Sequence, residues 1–211
     1  MKKTSTILSI LLAGNFLISS CASSYKPIRP ETISYDYNST TVDPNLTTSF
    51  AYDVLTLRDN KKYAKKEVKS NLRVVSVKVV NNTNAPIHLG KDCRLLMGER
   101  EIIPLDPAIA SKKLNQGVPI YLLYSLLFLN ITKQSGDGYA SKTSTTSIPI
   151  GLPIAAGNMM VAGTANKIMR AELTGHNILN KTVGPGETVY GIVCLTESVT
   201  GKLKFDIIRA N

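Results

Sequence analysis

Two kinds of hydrophobic pattern divide this chain. Ser49 to Leu57 alternates, with Phe50, Tyr52, Val54 and Thr56 on one side, which predicts a strand. Leu72 to Val80 predicts another. Val75, Val77 and Val79 share one side, while Val74 and Val80 flank Ser76 and Lys78 on the other. Asn81-Asn82-Thr83-Asn84 reads as a turn and Pro86 to Leu89 as the returning strand. Cys93 to Met97 and Glu101 to Ile103 predict a hairpin around Gly98-Glu99-Arg100. Near the end, Gly184-Pro185-Gly186 is a turn and Thr188 to Thr196 a strand. After a turn at Gly201 comes a last strand, Lys202 to Arg209, where Leu203, Phe205 and Ile207 alternate with lysine and aspartate. Roughly seven short strands with such turns predict an antiparallel β-sandwich.

Between the two β halves the pattern changes. Asp106-Pro107 is a good N-cap and first-turn pair for a short helix, Ala108 to Asn115. Val118 to Ile131 follows, fourteen residues without a charge and apolar on every face. Thr132 to Ser147, mostly Ser, Thr, Gly and Lys, reads as a polar loop. Ile148 to Asn166 is then nineteen residues without a charge. A helix is expected from about Pro153 to Leu173, stopped by Gly175. Asn158, Ala162 and Ala165 give it a narrow strip of small residues, which lets another helix approach closely. Gly151, Gly157 and Gly163, spaced by six, are spread around the helix and make no zipper. The natural partner is Val118 to Ile131, so the insertion, about 106–175, reads as an apolar helical hairpin.

A helix that is apolar all round must be buried somewhere. Tyr121, Leu122, Leu126, Phe128 and Leu129 cannot all face one sheet, which makes them a candidate apolar interaction surface. Three readings stay open. The hairpin covers a sheet; it presents an apolar surface to an envelope protein, a lipid or a hydrophobic ligand; or it inserts shallowly into a bilayer. Fourteen helical residues reach only about 21 Å, short of a ~30 Å hydrocarbon core. Pro149, Pro153 and Asn158 weaken the second arm as a span.

The first twenty residues read as an export signal: Lys2 and Lys3, an apolar stretch from Ile7 to Ile18, then small residues. That stretch covers about 18 Å as a helix, too short for a permanent span. Ile18-Ser19-Ser20-Cys21 resembles the lipobox of bacterial lipoproteins. The resemblance implies diacylglycerol on the Cys21 thiol, cleavage before it, and acylation of the new amino group. Ala22 stands where inner-membrane lipoproteins of enterobacteria carry Asp, which points to the outer membrane. Ser23 to Pro27 lacks the acidic run of many surface-exported lipoproteins, which points to the periplasmic side. Residues 21–47, rich in Ser, Thr, Asn and Asp and broken by Pro27, Pro30 and Pro44, are expected as a lipidated flexible tether. Within it, Ile33 to Tyr37 is a short extended piece able to pair with a domain edge.

Residues 48–211 form the remaining domain, large enough for one core. Asn81 to Leu89, Pro185-Gly186-Glu187-Thr188-Val189-Tyr190-Gly191 and Leu203 to Ile208 resemble immunoglobulin-like domains of an uncharacterised family of bacterial lipoproteins. That implies a fold, mainly β with an α insertion, and no function.

Charge and cysteine refine the picture. The formal charge is +10; without Lys2 and Lys3, 23 basic residues face 15 acidic ones, leaving +8. Such an excess favours anionic partners such as lipid head groups or acidic polysaccharide. Nucleic acid does not fit an exported lipoprotein. Lys61, Lys62, Lys65, Lys66 and Lys69 cluster beside Asp59 and Glu67 in what reads as a solvated connector. With Cys21 lipidated, Cys93 and Cys194 remain as a candidate disulfide or as two separate buried thiols.

No catalytic signature emerges. His88 and His176 are the two histidines, and HExxH, CxxC and nucleophile-elbow motifs are absent. His88 with Cys93 lacks a third orienting group, and His176 after Gly175 suits a helix C-terminus. Glu99 and Glu101 share a hairpin; Asp36, Asp43, Asp53 and Asp59 are spread over tether and edge strands. No metal or cofactor is implied. The reading is a non-enzymatic, lipid-anchored binding or assembly component of the envelope. A small periplasmic hydrolase with an unrecognised site, or a membrane-perturbing module, are the alternatives.

Overall fold

The structure, a computed structural model, describes residues 21–36, 40–135, 142–196 and 200–208. Residues 1–20, expected as an export signal, lie outside them. The fold is mainly β with some α, and its strands pair antiparallel. It divides into two compact units, one of residues 25–115 and 166–211, the other of residues up to 24 together with 116–165.

The larger unit is built on β3 (Arg73–Asn81). It pairs with β2 (Leu46–Ala51) on one side and β10 (Thr188–Leu195) on the other, and β1 (Thr40–Thr41) extends the sheet beyond β2. A three-stranded sheet holds β11 (Leu203–Ile207), β5 (Cys93–Met97) and β6 (Arg100–Ile102), in that order. The predicted hairpin at Gly98 is thus present, and Gly98 takes the left-handed conformation its turn needs (φ 63°). A two-stranded pair, β4 (Ile87–His88) with β9 (Thr182–Val183), completes the β framework of this unit.

Side-chain parity decides where the core lies. Val75, Val77 and Val79 of β3 and Val189, Val193 and Leu195 of β10 join Leu95, Leu203 and Phe205 of the smaller sheet in one buried cluster. The opposite parity, Val74, Ser76, Ile192 and Cys194, is buried too, on the other face of the large sheet. That face is covered by helices and by the N-terminal segment. On the cluster face, Gly191 is required opposite Val77, because a Cβ would meet the His176 carbonyl and Ile178 at 2.8 Å.

Three expectations need correction in this unit. First, the strand read from Ser49 to Leu57 stops at Ala51; Val54–Leu57 is a short helix, α1. Second, the lysine-rich connector is a helix, α2 (Lys61–Lys69), with Tyr63 and Glu67 buried at i and i+4. Both helices end in the same way. Asp59 (φ 56°) and Asn71 (φ 50°) take the left-handed position. The next residue then donates back, Asn60 N–H to Leu55 C=O and Leu72 N–H to Glu67 C=O.

Third, the segment expected as a flexible tether is packed over residues 25–36. Tyr25, Ile28 and Pro30 are buried. The Tyr25 hydroxyl donates to Glu172 Oε2 at 2.5 Å, and its ring meets Tyr63 edge-on with centroids 5.3 Å apart. Lys26 N–H donates to Asn60 Oδ1, and Asn60 Nδ2 donates back to the Lys26 carbonyl. Tyr35 bonds Ser76 through their hydroxyls at 2.7 Å. The piece around Ile33 to Tyr37 is therefore anchored by a side chain and forms no strand over its described residues, 33–36. The polar composition that suggested solvent is used instead to satisfy buried partners.

The insertion begins as expected. Asp106 caps α3 (Pro107–Leu114), accepting from Ala108 N–H and Ile109 N–H. The long helix α4 also forms, from Gly151 to Gly175. Its proposed helical partner does not. Val118–Leu126 is a run of 3-10 turns, and Leu129–Ser135 (β7) pairs with Lys142–Ile148 (β8) as a β-hairpin. The apolar arm carries no 3.6-residue period to choose an α-helical face. The loop reading of 132–147 overlooked Thr132, Thr143, Thr145 and Thr146, whose branched side chains suit a pleated strand.

A flexible tether would exchange its amide hydrogens at free-peptide rates. Here Lys26 and Arg29 donate to Asn60 and Glu172, so their exchange should slow at least about tenfold. Hydrogen exchange with peptide-level or NMR readout checks this, and unprotected amides at both positions would contradict the packing.

Candidate functional site

The smaller unit holds Cys21 and the uncharged part of the insertion. Ala22 N–H donates to Asn158 Oδ1 at 2.8 Å. Ser23 is held twice by Gln116: its N–H donates to Oε1 at 3.1 Å, and Gln116 Nε2 donates to its carbonyl at 2.6 Å. The backbone following the cysteine is thereby tied to both arms of the insertion, at Gln116 before the 3-10 run and at Asn158 within α4. The Cys21 side chain is exposed.

The five residues expected to form an apolar surface separate into two classes. Tyr121 is buried, 4 % exposed, with its ring stacked on Tyr124. Burial, Tyr124 and the nearby Cys21 raise its phenol. Leu122, Leu126, Phe128 and Leu129 are exposed, Leu126 by 72 %. The surface is larger than the sequence suggested, because Leu123, Ile154 and Met160 are exposed as well. Only their membership of an uncharged stretch could have flagged them.

Two features keep these side chains outward. On α4 the buried positions of this unit are Gly151, Ala155, Ala162 and Ala165, so the small strip takes the inner side and the larger residues remain outside. Gly151 sits so close to the 3-10 run that a Cβ would overlap the Tyr124 carbonyl, and its N–H donates to the Leu127 carbonyl at 2.9 Å. In the β-hairpin, Leu129 pairs with Ile148 at the root and Ile131 with Thr146 above them. The opposite side is a polar ladder, Asn130 with Ser147 and Thr132 with Thr145. Among the described residues of this unit only Lys133 and Lys142 are charged, both away from the root. No helix among the described residues is long and apolar enough to cross a membrane.

Cys93 and Cys194 are separate buried thiols, not a bridge. Cys93 lies in the cluster shared by the two sheets. Cys194 has the opposite parity from Val193 and Leu195, so it faces away from that cluster. Burial pushes each thiol up to about 12.

A depression of about 550 Å³ in the larger unit gathers His88, Cys93, Glu101, Asp106 and Asn177. His88, Asp106 and Asn177 are otherwise engaged. His88 Nδ1 accepts from Gly90 N–H, Asp106 caps α3, and Asn177 accepts from Leu179 N–H. With the Cys93 thiol raised, no nucleophile is activated there. His176 contributes its carbonyl to Ile192 N–H. No group of three or more metal-ligating side chains occurs among the described residues.

The sequence reading gave no signal for Glu67. Its carboxyl is 1 % exposed and accepts Val74 N–H at 2.6 Å. Burial pushes it up to about 7, against the opposing pull of that N–H and of Arg73. It ties the end of α2 to the start of β3, which is a structural task.

No protein-family model, curated protein or solved structure matches the chain.

Two outcomes follow from these geometries. The folded Glu67 carboxyl keeps its proton to about pH 7, against 4.5 for an unperturbed one. Its contribution is therefore most favourable below pH 4.5 and is lost as pH rises through 7. Glu67→Gln keeps an acceptor for Val74 and should gain on the order of 1–3 kcal/mol over the parent at alkaline pH. Urea midpoints across that range check it, and parallel pH profiles for the two proteins would contradict it. Peptide mapping of the unreduced, unfolded protein should likewise find Cys93 and Cys194 each alkylated; a linked peptide pair would restore the bridge.

Proposed function

We propose that this protein is a lipid-anchored component of the bacterial envelope that binds or assembles with another molecule through the apolar surface of its smaller unit. One observation carries the reading: the exposed side chains Leu122, Leu126, Phe128 and Leu129 belong to the same compact unit as Cys21. The lipobox-like Ile18-Ser19-Ser20-Cys21 supplies the anchor, and acyl chains at about 0.8 kcal/mol per buried CH₂ hold it firmly. The outer membrane is the favoured address, with the body facing the periplasm. An apolar patch on this scale favours a protein or lipid partner over a solvated face. The larger unit is the scaffold, which we take to be an immunoglobulin-like sandwich because its two sheets share one cluster of buried side chains.

The anchor and the surface are tested separately. Mass spectrometry of the native polypeptide should show an N-terminus at Cys21 bearing fatty acyl groups; a retained leader or a bare cysteine would remove the anchor. A photo-crosslinking side chain at Leu126, in native membranes, should give a discrete adduct that the same probe at exposed Glu99 does not. Equal patterns from both positions would remove the surface.

A further inference from the structure

The lysines of α2 were expected in a solvated connector, but the helix sorts them. Lys61, Lys65 and Lys69 recur at i, i+4 and i+8, with Lys62 and Lys66 on the adjoining row. Lys61, Lys65 and Lys69 are exposed on the side opposite buried Tyr63 and Glu67, and Lys62 and Lys66 are half-buried beside it. Glu67, the one acid of the helix, is turned inward. Asp59, just before the helix, is held between Lys26 at 2.8 Å and Lys61 at 3.3 Å. The neighbouring helix α3 adds Lys112 and Lys113, both exposed in its last turn. Ser70 Oγ donates to the Lys113 carbonyl at 3.4 Å, which brings the two basic helix ends together.

Like charges at i, i+4 spacing weaken a helix slightly. Lys65 and Lys69 face solvent beside Lys61, which shares Asp59 with Lys26, so this row presents a net positive charge to an outside anion. The chain supplies a reason to name that anion. Both backbone groups of Lys26 are bonded to the Asn60 side chain, so residue 26 is fixed at the first turn of α2. Four residues, 22–25, separate it from Cys21, a reach of at most about 18 Å. With the tether packed from Tyr25 onward, the body cannot stand far from lipid attached at Cys21.

The geometry points to the lysine face of α2 as a second membrane contact, binding the anionic phospholipid headgroups of the bilayer that holds the acyl chains. This rests on Cys21 being acylated. The contact fixes the orientation of the larger unit, and it acts over about a Debye length, so it responds to salt where the acyl anchor does not.

The test uses the full lipidated protein reconstituted into vesicles of phosphatidylcholine, with or without phosphatidylglycerol, and labelled with a membrane-impermeant amine reagent. Lys61, Lys65 and Lys69 should label at least about fivefold more slowly on the anionic vesicles, with labelling restored by high salt. Exposed Lys91 and Lys202 should not change. Equal labelling on both vesicles, in protein whose Cys21 peptide is acylated, overturns the proposal. So does protection by soluble polygalacturonate on neutral vesicles without protection by phosphatidylglycerol, which would make the strip a polysaccharide site. The same digests report the Cys21 peptide. A bare cysteine with protected lysines would uphold the headgroup site and remove the lipid anchor.

Discussion

The structure depends on the pairing of β3 with β10. Eight residue pairs, from Thr188↔Val80 to Leu195↔Arg73, join parts of the chain more than a hundred positions apart. Closing so long a loop is entropically costly, but the cost grows only slowly with length, and burial on both faces of the sheet offsets it. Once the pair is set, everything between must leave the sheet and return. The insertion is that excursion, with α3 leaving and α4 coming back. Side-chain parity along the pair then assigns each residue to one of two buried layers. The separation of Cys93 from Cys194 follows directly: the parity that places Val193 and Leu195 in the shared cluster turns Cys194 the other way.

A sheet buried on both faces needs a cover for the second one, and here the N-terminal segment provides part of it. Tyr25 and Ile28 are buried, Tyr35 bonds Ser76 and meets the Tyr190 ring, and Asn60 and Glu172 hold the backbone at Lys26 and Arg29. The segment cannot be both cover and free tether. That exchange shortens the connection to Cys21 from a long flexible stretch to the few residues before Tyr25. It gives the fold a bearing on function, because whatever is attached at Cys21 is kept close to the body.

The chain also separates its chemistry. The smaller unit carries the uncharged stretches, with larger apolar side chains outward and small residues inward. The larger unit carries a row of lysines on α2. A lipid surface offers both an apolar layer and anionic headgroups, so the envelope role we propose would use both features. In the larger unit His88 serves a turn, Cys93 and Cys194 lie in buried layers, and Asp106 caps a helix.

Local pattern determined much of this protein. Side-chain pattern located β3 and β11, and turns located β5 and β10; Asp106-Pro107 started α3; and Gly175 marked the end of α4. The lipobox-like ending at Cys21 is likewise a local signal. The elements that pattern missed are those whose signals were ambiguous or distant. Asp59 and Asn71 close helices where glycine was the expected sign, and threonine-rich residues read as loop became strands once each had an antiparallel partner. The fixed N-terminal segment depends on residues far away in sequence, Glu172 and Ser76 among them, and the buried Glu67 on the strand that follows its helix. Sequence thus set which segments could form regular structure and which stretches lacked charge. Only tertiary structure decided which face each residue occupied, because a side chain's partners there come from strands and helices that meet after the chain has closed on itself.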